Sequence, residues 1–327
     1  MKRRDSLARL IVLAATLATP AGAQKLAKMH RVGIFSIGAD PADPGAWPAF
    51  IEAMRKRGYE EGKNLMLVRA FGSGDFDRLD PLMRDLIEKR VEVIILSGIR
   101  EVRSARQATT KVPIVMTQMP LDPVAEGLVQ SLARPGGNIT GFMFLVPGMY
   151  QKYVEILTEA VPSATRIASL TSPPNPPALV QAELEAAAKL RRVQLTIAQI
   201  KDPAEIEPTL TRLKNAGVAG LVVPLDGFMI RHRAVLARAI EKMRLPAIYA
   251  ARSHVDAGGL MAYGTSTPEL MRFSAEYVDR ILKGANPADL PVQQPTRFEL
   301  VVNLKAAKTI DLALPSTIMV RADEVLR

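Results

Sequence analysis

The 327-residue chain contains no cysteine, three histidines and one tryptophan. Without cysteine there is no disulfide, no thiolate nucleophile, no thiolate metal ligand and no cysteine to carry a lipid anchor. Stability must then come from a buried apolar core, which a chain of this length can form. His30, His232 and His254 are the only imidazoles. Neither His30, ahead of the first strand, nor His232, between Arg231 and Arg233, has metal-ligand spacing. His254 follows a strand end and is the one histidine placed to meet a ligand. No nucleophile-elbow sequence occurs. The expectation is a protein that is not an enzyme, with no metal and no cofactor.

Long apolar runs are also scarce. Lys2, Arg3 and Arg4 precede a short run from Leu10 to Ala18, and Ala21-Gly22-Ala23 closes it with small residues. A membrane span needs about 20 apolar residues, so residues 1–23 read as a secretory signal peptide. Without them, 39 basic residues face 32 acidic ones, a charge of +7. That balance favours anionic partners. The basic residues are scattered rather than set in a stripe with aromatics, which argues against nucleic acid.

From residue 31 onward, β-branched runs alternate with amphipathic stretches. Strands are expected at 31–37, 65–71, 91–96, 112–116 and 139–142, with helices at 49–57, 77–89, 102–108 and 124–132. The pattern then restarts: helices at 149–160, 178–190, 204–216 and 230–242 alternate with strands at 166–170, 194–199, 219–223, 247–249 and 260–263. A helix at 269–282, a proline-rich stretch and a strand at 298–303 form the tail. Strands separated by helices of this length specify parallel sheets. The fold class is α/β, with two doubly wound parallel-sheet lobes joined by a hinge. Residues 24–143 plus about 267–290 form the first lobe, and 144–266 plus about 291–327 the second. Parallel sheets open their crevices at the carboxyl ends of their strands, so the ligand cleft lies between the lobes.

Two phosphate-loop lookalikes fail on spacing. Gly58 to Lys63 has three residues between its glycines where four are needed. Gly72-Ser73-Gly74 lacks the third glycine of a dinucleotide loop, and Asp75 and Asp77 would repel phosphate.

Several longer stretches carry a resemblance. They are Arg57 to Leu65, Gly74 to Leu79, Leu132 to Gly141, Asp256 to Gly264, and the tail from Tyr277 to Lys305. Together they resemble the ABC-transporter substrate-binding family that includes tryptophan- and tyrosine-type binding proteins. The resemblance implies a type I periplasmic binding fold and a soluble periplasmic receptor. It would hold a small solute, perform no chemistry, and deliver to an ABC permease as a monomer. A ligand-sensing receptor for a membrane signalling partner would share the same residues. From family and charge, the solute is expected to be a small carboxylate, aromatic or amino-acid in type. Two departures, Gly98 to Glu101 and Ser253-His254, fall at cleft-facing strand ends and argue against a typical aromatic amino-acid pocket.

Strand-end geometry selects the candidate ligand residues. On the first lobe they are Ser36, Phe71, Ser97, Gly98 and Gln118, with Trp47 in the loop after the first strand, either stacking on the solute or packing. On the second they are Thr171, Ser172, Asp226, Arg252 and Tyr263. Arg252, with Arg100, could clamp a carboxylate in bidentate fashion, and Asp226 could accept an ammonium or hydroxyl group. Each hydroxyl could equally cap a helix, and Arg252 could equally pair with an acid across its loop.

Overall fold

The computed structural model describes residues 28–36, 47–119, 121–144, 146, 148–173 and 178–327. The expected signal peptide lies outside the described residues.

The first sheet contains β1 (His30–Ser36), β2 (Leu65–Phe71), β3 (Val93–Leu96), β4 (Ile114–Met119) and β5 (Ile139–Met143). They lie in the order β2-β1-β3-β4-β5, all parallel. Both faces of this sheet are covered. Val93 and Ile95 of β3 point into one core cluster, with Phe50 and Met54 of α1 (Trp47–Lys56). Ile94 and Leu96 point into another, with Met83 of α2 (Leu79–Glu88) and Val102 of α3 (Ile99–Ala108). A strand buried on both faces must be apolar at every position, which is why 93–96 reads as an unbroken apolar run, Val-Ile-Ile-Leu.

The second sheet repeats the plan. Its elements are α4 (Met149–Ala160), β6 (Arg166–Thr171), α5 (Ala178–Leu190), β7 (Gln194–Gln199), α6 (Ile206–Asn215) and β8 (Gly220–Val223). Next come α7 (Gly227–Arg231), α8 (Arg233–Lys242), β9 (Ala247–Tyr249), α9 (Arg252–Asp256) and β10 (Met261–Gly264). After α10 (Thr267–Leu282), β11 (Glu299–Asn303), α11 (Leu304–Thr309), α12 (Ser316–Arg321) and β12 (Glu324–Leu326) complete the chain. The strand order is β12-β11-β10-β9-β8-β6-β7, with β11 antiparallel to β10. The fold is therefore the expected pair of doubly wound α/β lobes.

The tail ties the two sheets together. Helix α10 leaves the second sheet and packs on α1 and on β3, β4 and β5 of the first. Its Tyr277 ring lies 4.7 Å from that of Phe142 in β5. Residues 290–293 then run beside β5. Gln293 N donates to Gly141 O at 2.9 Å, Met143 N donates to Gln293 O at 2.8 Å, and Thr140 Oγ1 donates to Leu290 O at 2.6 Å. From there the chain returns to β11 in the second sheet.

Three expectations need correction. No helix forms at 124–132. Glu126 N and Leu128 N bond to Asp122 and Pro123 carbonyls, and Gly127 at φ +65° turns the chain out after one loop of backbone. The helix expected at 230–242 is two, α7 and α8, broken at His232. Residues 252–256, expected as a loop, form the short helix α9.

Gly141 marks the tightest of these joints. Its φ is +133°, and a Cβ there would overlap the Met116 backbone of β4. Gly141→Ala should lower unfolding stability by about 3 kcal/mol, measured by denaturant titration. An unchanged midpoint would show that β4 and β5 can separate without loss.

Candidate functional site

In both sheets the loops that follow the strands carry the polar residues. On the second lobe the best-defined pair is Ser172, just beyond β6, and Asp226, just beyond β8. Asp226 is 4% exposed and caps α7. Its Oδ1 accepts from Phe228 N at 2.8 Å and Met229 N at 3.2 Å, and its Oδ2 accepts from Ser172 N at 2.9 Å. The Ser172 hydroxyl also donates to it, at 2.8 Å to Oδ2. A carboxylate has about four acceptor sites, so these donors fill it. Asp226 joins two strand-end loops and starts a helix, and its oxygens are not open to an ammonium group. Thr171 is buried beside this pair at the end of β6.

Arg252 is engaged as well. Its guanidinium makes a fork with both oxygens of Glu324 in β12, and its Nε lies 3.3 Å from Asp256. Hydrogen bonding to Glu324 and the charge of Asp256 raise its already high pKa further. Arg100 stands over the Phe76 ring at 3.9 Å, a cation–π contact. The two arginines expected to clamp a carboxylate together are thus each occupied elsewhere.

His254 is buried in the second lobe. Its ring stacks on Tyr249 at 4.7 Å, with Nδ1 3.3 Å from Ala251 O and Nε2 3.2 Å from Met229 O. Burial pushes its pKa down to about 4, so it is a neutral core group. Tyr263 is half-buried between Phe298, stacked at 5.9 Å, and Tyr153, edge-on at 6.5 Å. Trp47 belongs to the apolar core and meets Phe50 edge-on at 6.2 Å. Among the described residues, no group of three His, Asp or Glu side chains is placed to hold a metal ion.

On the first lobe, Ser36 and Phe71 are paired neighbours at the ends of β1 and β2. Gly72 N donates to Ser36 O at 3.1 Å. Ser73 (φ 54°) and Gly74 (φ 82°) then both adopt left-handed backbone, an uncommon conformation for a serine. Ser97 and Gly98 follow β3, and Gly98 (φ 94°) opens α3. Gln118 Nε2 donates to Thr267 Oγ1 at 3.0 Å, linking the end of β4 to the start of α10.

Two residues absent from the sequence-based selection stand out. Glu101, in the first turn of α3, folds its carboxylate back over Gly98, so that a Cβ on Gly98 would collide with it. The group is 8% exposed, and burial pushes its pKa up to about 7. The second is Arg231 at the end of α7. A Cβ built on Gly74 would lie 3.0 Å from its Cδ and 3.2 Å from its Nε. The loops after β2 and β8, one from each sheet, therefore touch.

With this geometry in view, the chain can be set beside known proteins. The family model for ABC transporter substrate binding proteins matches residues 31–326. A tyrosine-binding protein of Clostridioides difficile is 23% identical over 286 residues, covering 87% of this chain and 82% of that protein. A solved conserved domain protein from Vibrio cholerae is 25% identical with a TM-score of 0.83, covering 91% of this chain and all of its own. A Streptococcus pneumoniae ABC domain in complex with L-Trp is 22% identical with a TM-score of 0.82, again over 91% of this chain and all of its own. The chain belongs to the ABC transporter substrate-binding protein family.

The reading of Asp226 predicts a stability effect. Asp226→Ala strands two helix N–H groups and Ser172, and should cost the unliganded protein about 3 kcal/mol. Denaturant titration without added solute checks this, and an unaltered midpoint would return Asp226 to the list of ligand contacts.

Two buried groups also titrate in opposite senses. Glu101 keeps its proton in the folded state up to about pH 7 from an ordinary 4.5, so its contribution to stability falls as pH rises through that window. His254 is depressed from 6.5 to about 4, so its contribution is lost as pH falls through that range. Glu101→Gln removes the first trend alone. Its stability should therefore rise with pH more steeply than that of the parent protein, with an advantage above pH 7 on the order of 3 kcal/mol. Parallel curves from pH 5 to 8 would show that the carboxyl is not held neutral by burial.

Proposed function

We propose that this member of the substrate-binding family is the periplasmic receptor of an ABC importer. It closes two lobes around a small carboxylate-bearing solute and presents it to an inner-membrane permease, without chemistry. The observation that carries this reading is the approach of Gly74 to Arg231, on top of a family match over residues 31–326. It puts the strand-end loops of two separately wound sheets against each other, where a solute between the lobes would be enclosed.

Export is supported by the leader pattern of residues 1–23. Among the described residues no helix is long and apolar enough to cross a membrane. Binding without turnover is supported by the relatives, one of them described as tyrosine-binding and another holding L-Trp. Both of those solutes carry an α-carboxylate, which is the chemistry proposed for this chain's solute. The aromatic side chain is a weaker transfer. His254, expected to face the cleft, instead lies in the core against Tyr249 and carries no argument about the solute's side chain.

The experiment is a thermal-shift screen of the mature protein against amino acids, aromatic acids, dicarboxylates and sugars, with mass spectrometry of the solute afterwards. A ligand at 100 times its dissociation constant stabilises by about 2.7 kcal/mol, a shift of several degrees. One class of small carboxylate should produce that shift and be recovered intact. Consumption of the solute would sink the receptor reading in favour of an enzyme. A folded, ligand-free protein that ignored the whole panel would also count against it.

A further inference from the structure

Arg231 is a cation whose nearest neighbours do not explain it. Its Nη1 is sealed from solvent and has no hydrogen-bond partner. No ion pair joins it to an acid among the described residues. Three other arginines near the strand ends are engaged: Arg252 with Glu324, Arg100 with the Phe76 ring, and Arg233 with Ile230 O at 3.1 Å. A desolvated donor on a charged group is costly to leave unmade.

What faces Arg231 is bare backbone. The guanidinium carbon would lie 3.4 Å from a Cβ on Gly74, so the missing side chain is what lets the arginine of the second lobe rest on the loop of the first. That loop is held in place. Gly72 N is bonded to Ser36 O and Asp75 N to Gly72 O, each at 3.1 Å, and Ser73 and Gly74 are both left-handed. The other polar start in this lobe is closed to an anion. Over Gly98, at the opening of α3, the protein's own Glu101 carboxylate already occupies the ground.

We propose that Arg231 is the anion-recognition residue of the cleft, gripping the solute's carboxylate at the Gly72–Gly74 loop. The guanidinium fork matches a carboxylate geometrically, and its unmet donor is supplied with an acceptor only when the solute is present. Because the arginine belongs to one lobe and the loop to the other, an anion bound there stabilises the closed arrangement. This inference rests on the solute-binding reading above and adds the residue that selects for charge.

The test pairs each acid with its amide: L-tyrosine with L-tyrosinamide, L-tryptophan with L-tryptophanamide, benzoate with benzamide, and succinate with succinamide. Glucose and ribose serve as neutral controls. Titration calorimetry is run on the parent protein, on Arg231→Gln and on Arg231→Lys. The parent protein should bind one or more acids and prefer each to its amide. Arg231→Gln should lose about 10- to 100-fold in affinity for the acid and little for the amide, with Arg231→Lys in between. The unliganded Arg231→Gln protein should melt no lower than the parent, since no partner is lost.

Undiminished binding of the acid by Arg231→Gln overturns the proposal and leaves the solute-binding reading intact. Binding of glucose or ribose without any acid overturns both the proposal and the carboxylate chemistry given to the solute, and leaves only the receptor role. A marked fall in the melting temperature of unliganded Arg231→Gln would make the arginine structural and also overturn the proposal. If the parent protein binds neither acids nor neutral solutes, the proposal falls together with the reading beneath it.

Discussion

A parallel sheet covered on both faces can accept polar groups only at its edges and at the ends of its strands. Strands β3 and β8 are buried along their whole length, and each hands its chain to a helix that returns on one face or the other. Because these strands run parallel, each of them empties at the same end of its sheet. Hydroxyls, amides, carboxylates and guanidinium groups collect there by exclusion from everywhere else. This chain builds two such sheets, and its tail stitches them by way of α10 and the strip of residues beside β5. The site is a consequence of that arrangement before any side chain is chosen for it.

Polar groups at those ends divide into ones the fold consumes and ones it leaves over. Asp226 is consumed: four donors converge on it, and without it α7 has no cap and the β6 loop no anchor. Arg252 is consumed by Glu324, and Gln118 by Thr267. Arg231 retains an unmet donor, and Glu101 retains a carboxyl that burial keeps largely protonated up to about pH 7. In a receptor the unmet groups are the informative ones. A ligand shifts a conformational equilibrium only by what it contributes differently to the two states. A donor already satisfied in the empty protein contributes nothing new on closure.

How much of this is legible in the sequence depends on the range over which the decisive contact acts. The strands are legible where burial on both faces writes an unbroken run without polar side chains, as at 93–96 and 220–223. Most helices are legible from their amphipathic spacing. Residues 124–132 mislead because their apolar spacing is helical while Gly127 takes a left-handed turn. Among site residues, the strand-end rule finds Ser172 and Asp226 but does not reveal that they bond to each other across 54 positions. Arg252 looks like a clamp until Glu324, 72 positions on, is brought beside it. Arg231 is missed because it lies at the far end of a short helix rather than at the strand end itself. The flanking pattern Arg231-His232-Arg233 reads as a solvated charge run. The glycine opposite is no independent signal in the sequence, since the left-handed backbone of Gly74 (φ 82°) calls for glycine whatever lies across from it.

The two ends of α7 show why one charged residue is structural and another is left for a ligand. An acid at a helix start and a base at its end both lie favourably in the backbone dipole, so Asp226 and Arg231 each suit the five-residue helix that joins them. Asp226 also faces the helix amides and the β6 loop, which are its own chain and always present. Arg231 points the other way, toward backbone of the opposite lobe that offers it no acceptor among the contacts formed. Holding that nitrogen unpaired costs about 1–3 kcal/mol, a penalty that opening the lobes would relieve by admitting water. A bound carboxylate would relieve it with the lobes shut. The same group that disfavours empty closure therefore favours filled closure.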